Sequence, residues 1–523
     1  MRSAPYYDIR EVADIVRHFG KEKPEAPAVS FGQTTHSYAK LVLETSRLAQ
    51  ALLAEGFRAG SRIAYLGKNT DFFTQLYFFF AKSQVTLVPL NWRLTAFVLQ
   101  QILADSGARL LFHTPEYAAT SRELQGLIDG IELVELSSGD DPGSITQWIG
   151  DSPETDPRLP VDGSAIVIQI YTSGTTGRSK GVQLSNDNIV AFLKSGDAGA
   201  YGPWSDNETA LMCLPFFHVG GAQSGLHILH HGGHMVIVAD APPDTVFDAF
   251  EKWPLSRTGV VPSVLQFCLE HERCGQMDFS KLRTITYGGS PISESVFRRA
   301  KAVLGCDLIQ LLAMTETASV GTVLSTEDFE TGSAERQRSV GRAAPLMEVK
   351  IVRKDGTDAD PREIGEIVAR GAPVFSGYWG MEEETRHAKR GGWFHTGDAG
   401  YADEEGFLYV HDRIKDMVVT GGENVFPAEV ENVLADCPGG SDVAVIGVPD
   451  ERWGEAVKAI VVKAPDSQLS QADLLGFARK RLAGYKIPKS FDFVDAFPRN
   501  AAGKIPKRVL REPYWANNSR QVN

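Results

Sequence analysis

The segment Ala165-Ile166-Val167-Ile168-Gln169-Ile170-Tyr171-Thr172-Ser173-Gly174-Thr175-Thr176-Gly177-Arg178-Ser179-Lys180-Gly181-Val182 joins an apolar run to a loop with three glycines, several hydroxyls and one lysine. The run is β-branched enough to predict a strand. The loop contains the parts needed to wrap a polyphosphate: glycine lets backbone N–H groups approach anionic oxygens, Ser and Thr donate, and Lys supplies charge. A Walker loop requires Gly, four residues, then Gly-Lys-Ser/Thr; counted from Gly174, the second glycine would fall on Ser179, so that motif fails. A flexible Ser/Gly surface turn has a similar composition. The order of further motifs along the chain argues against that reading.

A chain of 523 residues is too long for one core, and 43% hydrophobic residues suffice to fill two or more domains. The net charge of −13 argues against general nucleic-acid or anionic-membrane binding, which rely on clustered Lys and Arg. Five cysteines (Cys213, Cys268, Cys274, Cys306, Cys437) contain no CxxC pair, so neither a disulfide framework nor a zinc site is expected, and a reducing cytoplasm fits. The first residues carry no apolar signal core. The most apolar window, residues 72–90, is interrupted by Gln75, Lys82, Ser83 and Gln84, so no membrane span is expected.

From Ser37 a capped helix is predicted, with Tyr38, Leu41, Val42, Leu48, Ala49 and Leu52 at helical spacing and Gly56 past its end. A strand from Arg62, a helix over residues 70–82 and a strand over 85–90 continue an alternation that predicts helix-covered sheets. Residues 138–163, rich in Asp, Ser, Pro and Gly, read as a long surface connection. Past Val340 the texture changes to short strands and turns, a β-rich subdomain. The domain boundary is placed at Asp412-Arg413-Ile414-Lys415-Asp416, giving a large N-terminal domain over 1–412 and a small mobile α+β domain over 413–523. The smaller domain's first helix is expected to begin at Pro427, with Glu429 and Glu431 near its positive end. His227, His230 and His231 fall at i, i+3 and i+4 spacing, a metal-site pattern, with His234 close by. Gly232-Gly233 ends that helix and no carboxylate or cysteine lies close in sequence, so these are read as structural histidines.

Four further elements follow in order: Gly288-Gly289-Ser290-Pro291, then Met314-Thr315-Glu316-Thr317, then Trp393-Phe394-His395-Thr396-Gly397-Asp398, and finally Pro498-Arg499-Asn500-Ala501-Ala502-Gly503-Lys504. Together with the first loop they resemble the acyl-adenylate-forming superfamily of acyl-CoA synthetases, luciferases and peptide-synthetase adenylation domains. The resemblance runs from the Ser37 helix to Lys504. It implies that Thr172, Ser173, Gly174, Thr175, Thr176, Gly177 and Lys180 hold the phosphates of ATP, and that the turn at Gly289, Ser290 and Pro291 belongs to the nucleotide site. It implies that Thr315 bonds the α-phosphate, Glu316 binds Mg²⁺, and Asp398 with Arg413 holds the ribose. Lys504 is the mobile catalytic lysine by the same resemblance, Lys415 the hinge, and Gly421, Gly422 and Glu423 the stretch brought in for the second half-reaction. His218, after Pro215-Phe216-Phe217, matches the residue where acyl pocket and thiol tunnel meet; its plainer reading is a core histidine at a strand end. Two positions depart from the family pattern: Arg178-Ser179 replaces the commoner x-Pro, and Leu312-Ala313 stands where Tyr-Gly is common, placing Leu312 against adenine.

The resemblance implies an AMP-forming ligase that takes a carboxylic acid, ATP and coenzyme A, as a monomer or homodimer. It is most similar to bacterial fatty-acyl-CoA ligases of medium to long chain. Residues 505–523 leave an expectation of no fused carrier domain, which favours free CoA. An aryl-CoA ligase for cinnamate- or benzoate-like acids, and an adenylating enzyme without CoA ligase activity, are the alternatives. A nucleotide-sensing protein on the same fold would be favoured by a missing Glu316 or Lys504, and both are present.

Overall fold

The fold is that of a computed structural model describing residues 7–137, 143–172, 179–205, 207–289, 292, 294–413, 416–420, 423–450, 452–499 and 505–515. It is mixed α/β, in two compact units: Met1–Val349 with Ala369–Phe394, and Lys350–Val368 with His395–Asn523.

The first unit is built on two sheets. In one, Ile166–Thr172 lies parallel to Thr86–Leu90, followed in order by Arg62–Leu66, Leu110–His113 and Glu132–Glu135. The chain returns antiparallel as Lys180–Ser185, with Thr172 paired to Lys180, and the short strand Gly377–Tyr378 closes the edge. The candidate phosphate loop therefore joins two antiparallel strands, whereas a Walker loop opens a helix. Parallel neighbours need crossover helices, and the predicted alternation supplies them. Tyr38–Ala54 starts at Ser37, whose Oγ accepts the Lys40 N–H, and Asp71–Ser83 follows the next strand. The latter helix is buried on nearly every face, and Phe78, Phe79 and Phe80 have no exposed surface, as expected of a helix inside a large core. Among the described residues, no helix is long and apolar enough to cross a membrane.

The other sheet runs Arg342–Ala343, Thr322–Leu324, Asp307–Leu312, Thr284–Gly288, Arg257–Val260, Thr209–Met212, His234–Ile237, Pro27–Phe31 and Thr34–Ser37. One local reading is corrected. Within the expected surface connection a short helix forms, Ile145–Ile149, because Ser144 Oγ accepts the Gln147 N–H and Ile145 is buried. The histidine helix, Val219–His230, is capped by His231 and stops ahead of Gly232-Gly233, as the sequence indicates.

Most of a four-stranded sheet, Met347–Val352, Gly365–Gly371, Phe394–Ala402 and Leu408–Arg413, belongs to the second unit. The rest of that unit has a second sheet ordered Glu423–Val425, Val418–Thr420, Gly454–Lys463, Gly440–Asp450, with Ser490–Val494 parallel to Gly454–Lys463. Helix Pro427–Ala435 packs Val430 and Leu434 into its core, and Glu431 accepts the Val445 N–H at 2.6 Å.

One buried charge makes the first unit's stability depend on pH. The Lys82 ammonium, with no exposed side-chain surface, donates to Val42 O, Thr45 Oγ1 and Ser46 Oγ at 2.9–3.0 Å. Burial pushes it down to about 7, only partly offset by Asp156 at 3.8 Å. The unfolded chain then binds the extra proton between about pH 7 and 10.5, so this group makes stability rise with pH across that window. Lys82→Met should melt higher than the natural protein at pH 7, and the gap should shrink by pH 9.5. Thr45 and Ser46 keep their backbone acceptors in the variant, Leu41 O at 2.6 Å and Val42 O at 2.7 Å. Melting curves of both proteins at the two pH values check it; a gap constant with pH would contradict it.

Candidate active site

The Thr-Glu motif forms a tight 3₁₀ turn, Thr315–Thr317, after strand Asp307–Leu312. The Met314 N–H donates to Thr317 Oγ1, and the chain reverses through Ala318 and Ser319 at φ 48° and 70°. Two consecutive non-glycine residues in the left-handed region are strained, and such strain is retained where surrounding structure over-determines it. Here Tyr201 Oη–H donates to Ser319 O at 2.7 Å, and the Phe375 N–H donates to Glu316 O at 2.8 Å. The turn is thus held from two distant segments.

The Glu316 side chain is 9% exposed, and its Oε1 accepts the Tyr378 hydroxyl at 3.0 Å. Over the Tyr378 ring, 4.8 Å from its centroid, stands Lys180 Nζ. The closing strand of the phosphate loop, the Thr-Glu turn and the edge strand Gly377–Tyr378 therefore converge on one point. A cation–π contact of about 0.5–1 kcal/mol at a partly exposed site is weak enough to be exchanged for a phosphate. A single carboxylate suits Mg²⁺, which takes one or two carboxylates and completes its shell with waters and substrate phosphates. Sequence reading missed Tyr378: an aromatic on a two-residue edge strand carries no local signal, and its partner lies 62 positions away.

Ahead of His218, the bend Leu214–Phe217 is pinned by Asn69, another residue the sequence did not disclose. Asn69 Nδ2 donates to Leu214 O and its Oδ1 accepts the Phe216 N–H, both at 2.9 Å. His218 is half-buried at the N-cap of Val219–His230, its ring 4.5 Å from that of Phe217. A Cβ on Gly221 would lie 2.2 Å from Pro215 O, so only glycine lets the helix start against this bend. Leu312 is half-buried, the last residue of its strand, paired with Thr322. Tyr287 is 2% exposed and donates to Gln310 Oε1 at 3.1 Å. Gly289 has φ +89°, and nothing lies within 4 Å of where its Cβ would be.

In the second unit, the Thr-Gly-Asp motif lies in strand Phe394–Ala402, where Asp398 pairs in register with Arg413. Gly397 takes φ +74°, the conformation that favours glycine. Glu366 holds the turn: Oε1 accepts the Gly397 N–H at 3.2 Å, and Oε2 lies 2.7 Å from His395 Nδ1. Thr396 Oγ1 donates to Ile367 O and accepts the Asp398 N–H, fixing the backbone that carries a carboxylate 9% exposed. For Arg413 only the backbone is described. Glu423 opens strand Glu423–Val425 and is exposed. Ser173, Gly174, Thr175, Thr176, Gly177, Ser290, Pro291, Lys415, Gly421, Gly422 and Lys504 lie outside the described residues.

The AMP-binding enzyme family matches residues 16–379, and the AMP-binding enzyme C-terminal domain matches residues 429–504. The chain is 37% identical over 506 residues to the fatty acid-[acyl-carrier-protein] ligase ScoC of Streptomyces coeruleorubidus, covering 96% of each. It is 38% identical to the feruloyl-CoA synthase of Amycolatopsis sp, covering 94% of this chain and 96% of that protein. Among solved structures, ATP-bound MatB from Rhodopseudomonas palustris superposes with a TM-score of 0.87 at 29% identity, over 96% of this chain and 99% of that one. Fold and motifs define an adenylate-forming enzyme. The chain belongs to the AMP-binding enzyme family and stands with its AMP-forming acyl-CoA synthetases.

Proposed function

We propose that this enzyme is an ATP-dependent acyl-CoA ligase acting on a medium- to long-chain fatty acid. The observation that carries the ATP-handling part is the convergence of Lys180, Tyr378 and Glu316 at the closing strand of the phosphate loop. A carboxylate oxygen attacks the α-phosphorus, the bond to the β-phosphate oxygen breaks, and pyrophosphate leaves. The CoA thiol then loses its proton, attacks the acyl carbon and displaces AMP.

Bringing a carboxylate to ATP sets two anions against each other, at a cost of about 4 kcal/mol for unit charges ~4 Å apart at an effective dielectric of ~20. Lys180, moving from the Tyr378 ring to the β- and γ-phosphates, offsets part of that cost, as do donors from Thr172 and Thr315. Glu316, kept oriented by the Tyr378 hydroxyl, is the residue that would hold Mg²⁺, which when bound neutralises phosphate charge. Asp398 receives the ribose hydroxyls. Lys504 bridges the attacking carboxylate and the α-phosphate as charge develops.

Relatives bear on acid and acceptor. The fatty-acid ligase ScoC supports an alkyl acid, while feruloyl-CoA synthase supports the second reading, an aryl acid, with CoA as acceptor. The deciding experiment scores AMP release with acids from acetate to palmitate, cinnamate and ferulate, each with CoA, with a holo acyl carrier protein, and with neither. Maximal CoA-dependent release with octanoate to palmitate is expected. A maximum with ferulate, or release dependent only on the carrier protein, would replace the proposal.

At the adenine position, Leu312 offers a branched alkyl face where an aromatic ring would stack. Stacking adds about 0.5–1.5 kcal/mol beyond area burial, roughly 2- to 10-fold in binding. Leu312→Tyr should lower the Kd for ATP by up to that factor with little change in kcat. Tyr287 does not pre-empt the role, since its ring is buried and its hydroxyl engaged by Gln310. Isothermal titration with ATP checks it, and weaker binding would remove Leu312 from the adenine pocket.

A further inference from the structure

At the far end of helix Val219–His230 from His218, three side chains from two segments meet. His230 Nε2 lies 3.0 and 3.2 Å from the two carboxylate oxygens of Asp197, and His231 Nε2 lies 3.5 Å from Asp197 Oδ1. One ligand atom from each of these residues lies within 4.8 Å of the others. A tetrahedral ion with bonds of about 2.0–2.1 Å needs ligand atoms about 3.3 Å apart; the carboxylate–imidazole distances of 3.0–3.5 Å are close to that, and the two imidazoles would close on the ion by a side-chain adjustment. The His230 side chain has no exposed surface, and those of Asp197 and His231 are 8% and 15% exposed. The trio is largely buried.

We infer that Asp197, His230 and His231 form a binding site for a divalent transition-metal ion of the zinc type, separate from the nucleotide site. Two imidazoles and one carboxylate are a donor set for zinc and do not suit Mg²⁺. The buried Nε2 of His231 has no hydrogen-bond partner. Its ring is stacked on Trp204, centroids 4.5 Å apart and planes within 4°, so the nitrogen is held facing the carboxylate. On the other ring nitrogen of His230, Tyr7 Oη lies 2.9 Å from Nδ1. A hydroxyl donates or accepts, so when Nε2 binds a metal and the proton resides on Nδ1, Tyr7 accepts it and fixes the ring, the usual outer partner of a ligating histidine. The trio also stands at the carbonyl end of its helix, where a cation is favoured. Arg257, 4.3 Å from the Trp204 ring centroid, is engaged by Glu208 at 2.6 Å. The spacing of the histidines is a metal-site pattern, set aside in the sequence because the helix ends at Gly232-Gly233 and no carboxylate or cysteine lies close by. Folding brings a carboxylate from 33 positions upstream.

A bound ion would join the residue 196–200 segment to the end of a helix whose other end carries His218, about 18 Å away for twelve residues. The test titrates the full-length protein, stripped with EDTA and free of nucleotide, with Zn²⁺ against a chromophoric chelator and with Co²⁺ by visible absorption. One equivalent should bind, with d–d bands and no thiolate charge-transfer band, and raise Tm. Asp197→Asn and His231→Gln should each weaken binding at least 10-fold and remove the Tm rise. His231→Gln, at the more open position, serves if Asp197→Asn fails to fold. No stoichiometric ion, a thiolate band, or unchanged affinity in His231→Gln would overturn the site. Pyrophosphate exchange of the zinc-free protein should persist, and its strict dependence on zinc would overturn the separation from the nucleotide site.

Discussion

Glu316→Gln is expected to lower acyl-adenylate formation by about 10²- to 10³-fold, the loss for removing one charged contact to a catalytic metal worth several kcal/mol. The substitution is chosen because the amide oxygen can still accept the Tyr378 hydroxyl, so the turn at Thr315–Thr317 should survive. What is lost is the negative charge. Pyrophosphate exchange measured across Mg²⁺ concentrations should show a shifted Mg²⁺ dependence, with part of the rate recovered at high concentration. Melting temperature should move little. An exchange rate within a few-fold of the natural enzyme would remove Glu316 from metal binding. Tyr378→Phe provides the companion measurement: it deletes the donor that orients Glu316 and should cost less, about 10-fold, because a positioning contact of this kind is worth roughly 10 to 100.

Lys504→Ala is expected to nearly abolish the first half-reaction while sparing the second. On the proposed mechanism the lysine would offset charge developing between carboxylate and α-phosphate, a contribution present only while that bond forms. Thiol attack on a finished adenylate needs no such offset at that position, and the resemblance has the small domain rotate about Lys415 to bring Gly421, Gly422 and Glu423 to the site instead. Pre-made acyl-adenylate with CoA should therefore give thioester at a rate within a few-fold of the natural enzyme, while adenylation falls by about 10³-fold or more. Equal loss in both assays would contradict the division of labour.

Much of this protein was readable from short stretches. The helix after Ser37, the strands at Arg62–Leu66 and Thr86–Leu90, and the strand before the phosphate loop follow from periodicity, caps and β-branched runs, which act over a few residues. The α/β class follows from the alternation of helix and strand, and the family from the order of the motifs along the chain. The short helix Ile145–Ile149 escaped because its Asp- and Gly-rich flank matches a loop, and burial of Ile145 outweighs that composition.

Side-chain partners across long loops could be decided only by tertiary structure. Tyr378 meets Glu316 across 62 positions, Asn69 pins Phe216 across 147, and Asp197 reaches His230 across 33. No periodicity links such pairs, since each contact depends on which strands become neighbours and which way each residue faces, and a slip of one residue in register would turn every side chain away. The sequence by itself determined which chemical groups the chain offers and the local elements that carry them. The packing of sheet and helix decided which groups act together: a lysine, a phenol and a carboxylate at the phosphate loop, and a carboxylate beside two histidines that in sequence had none.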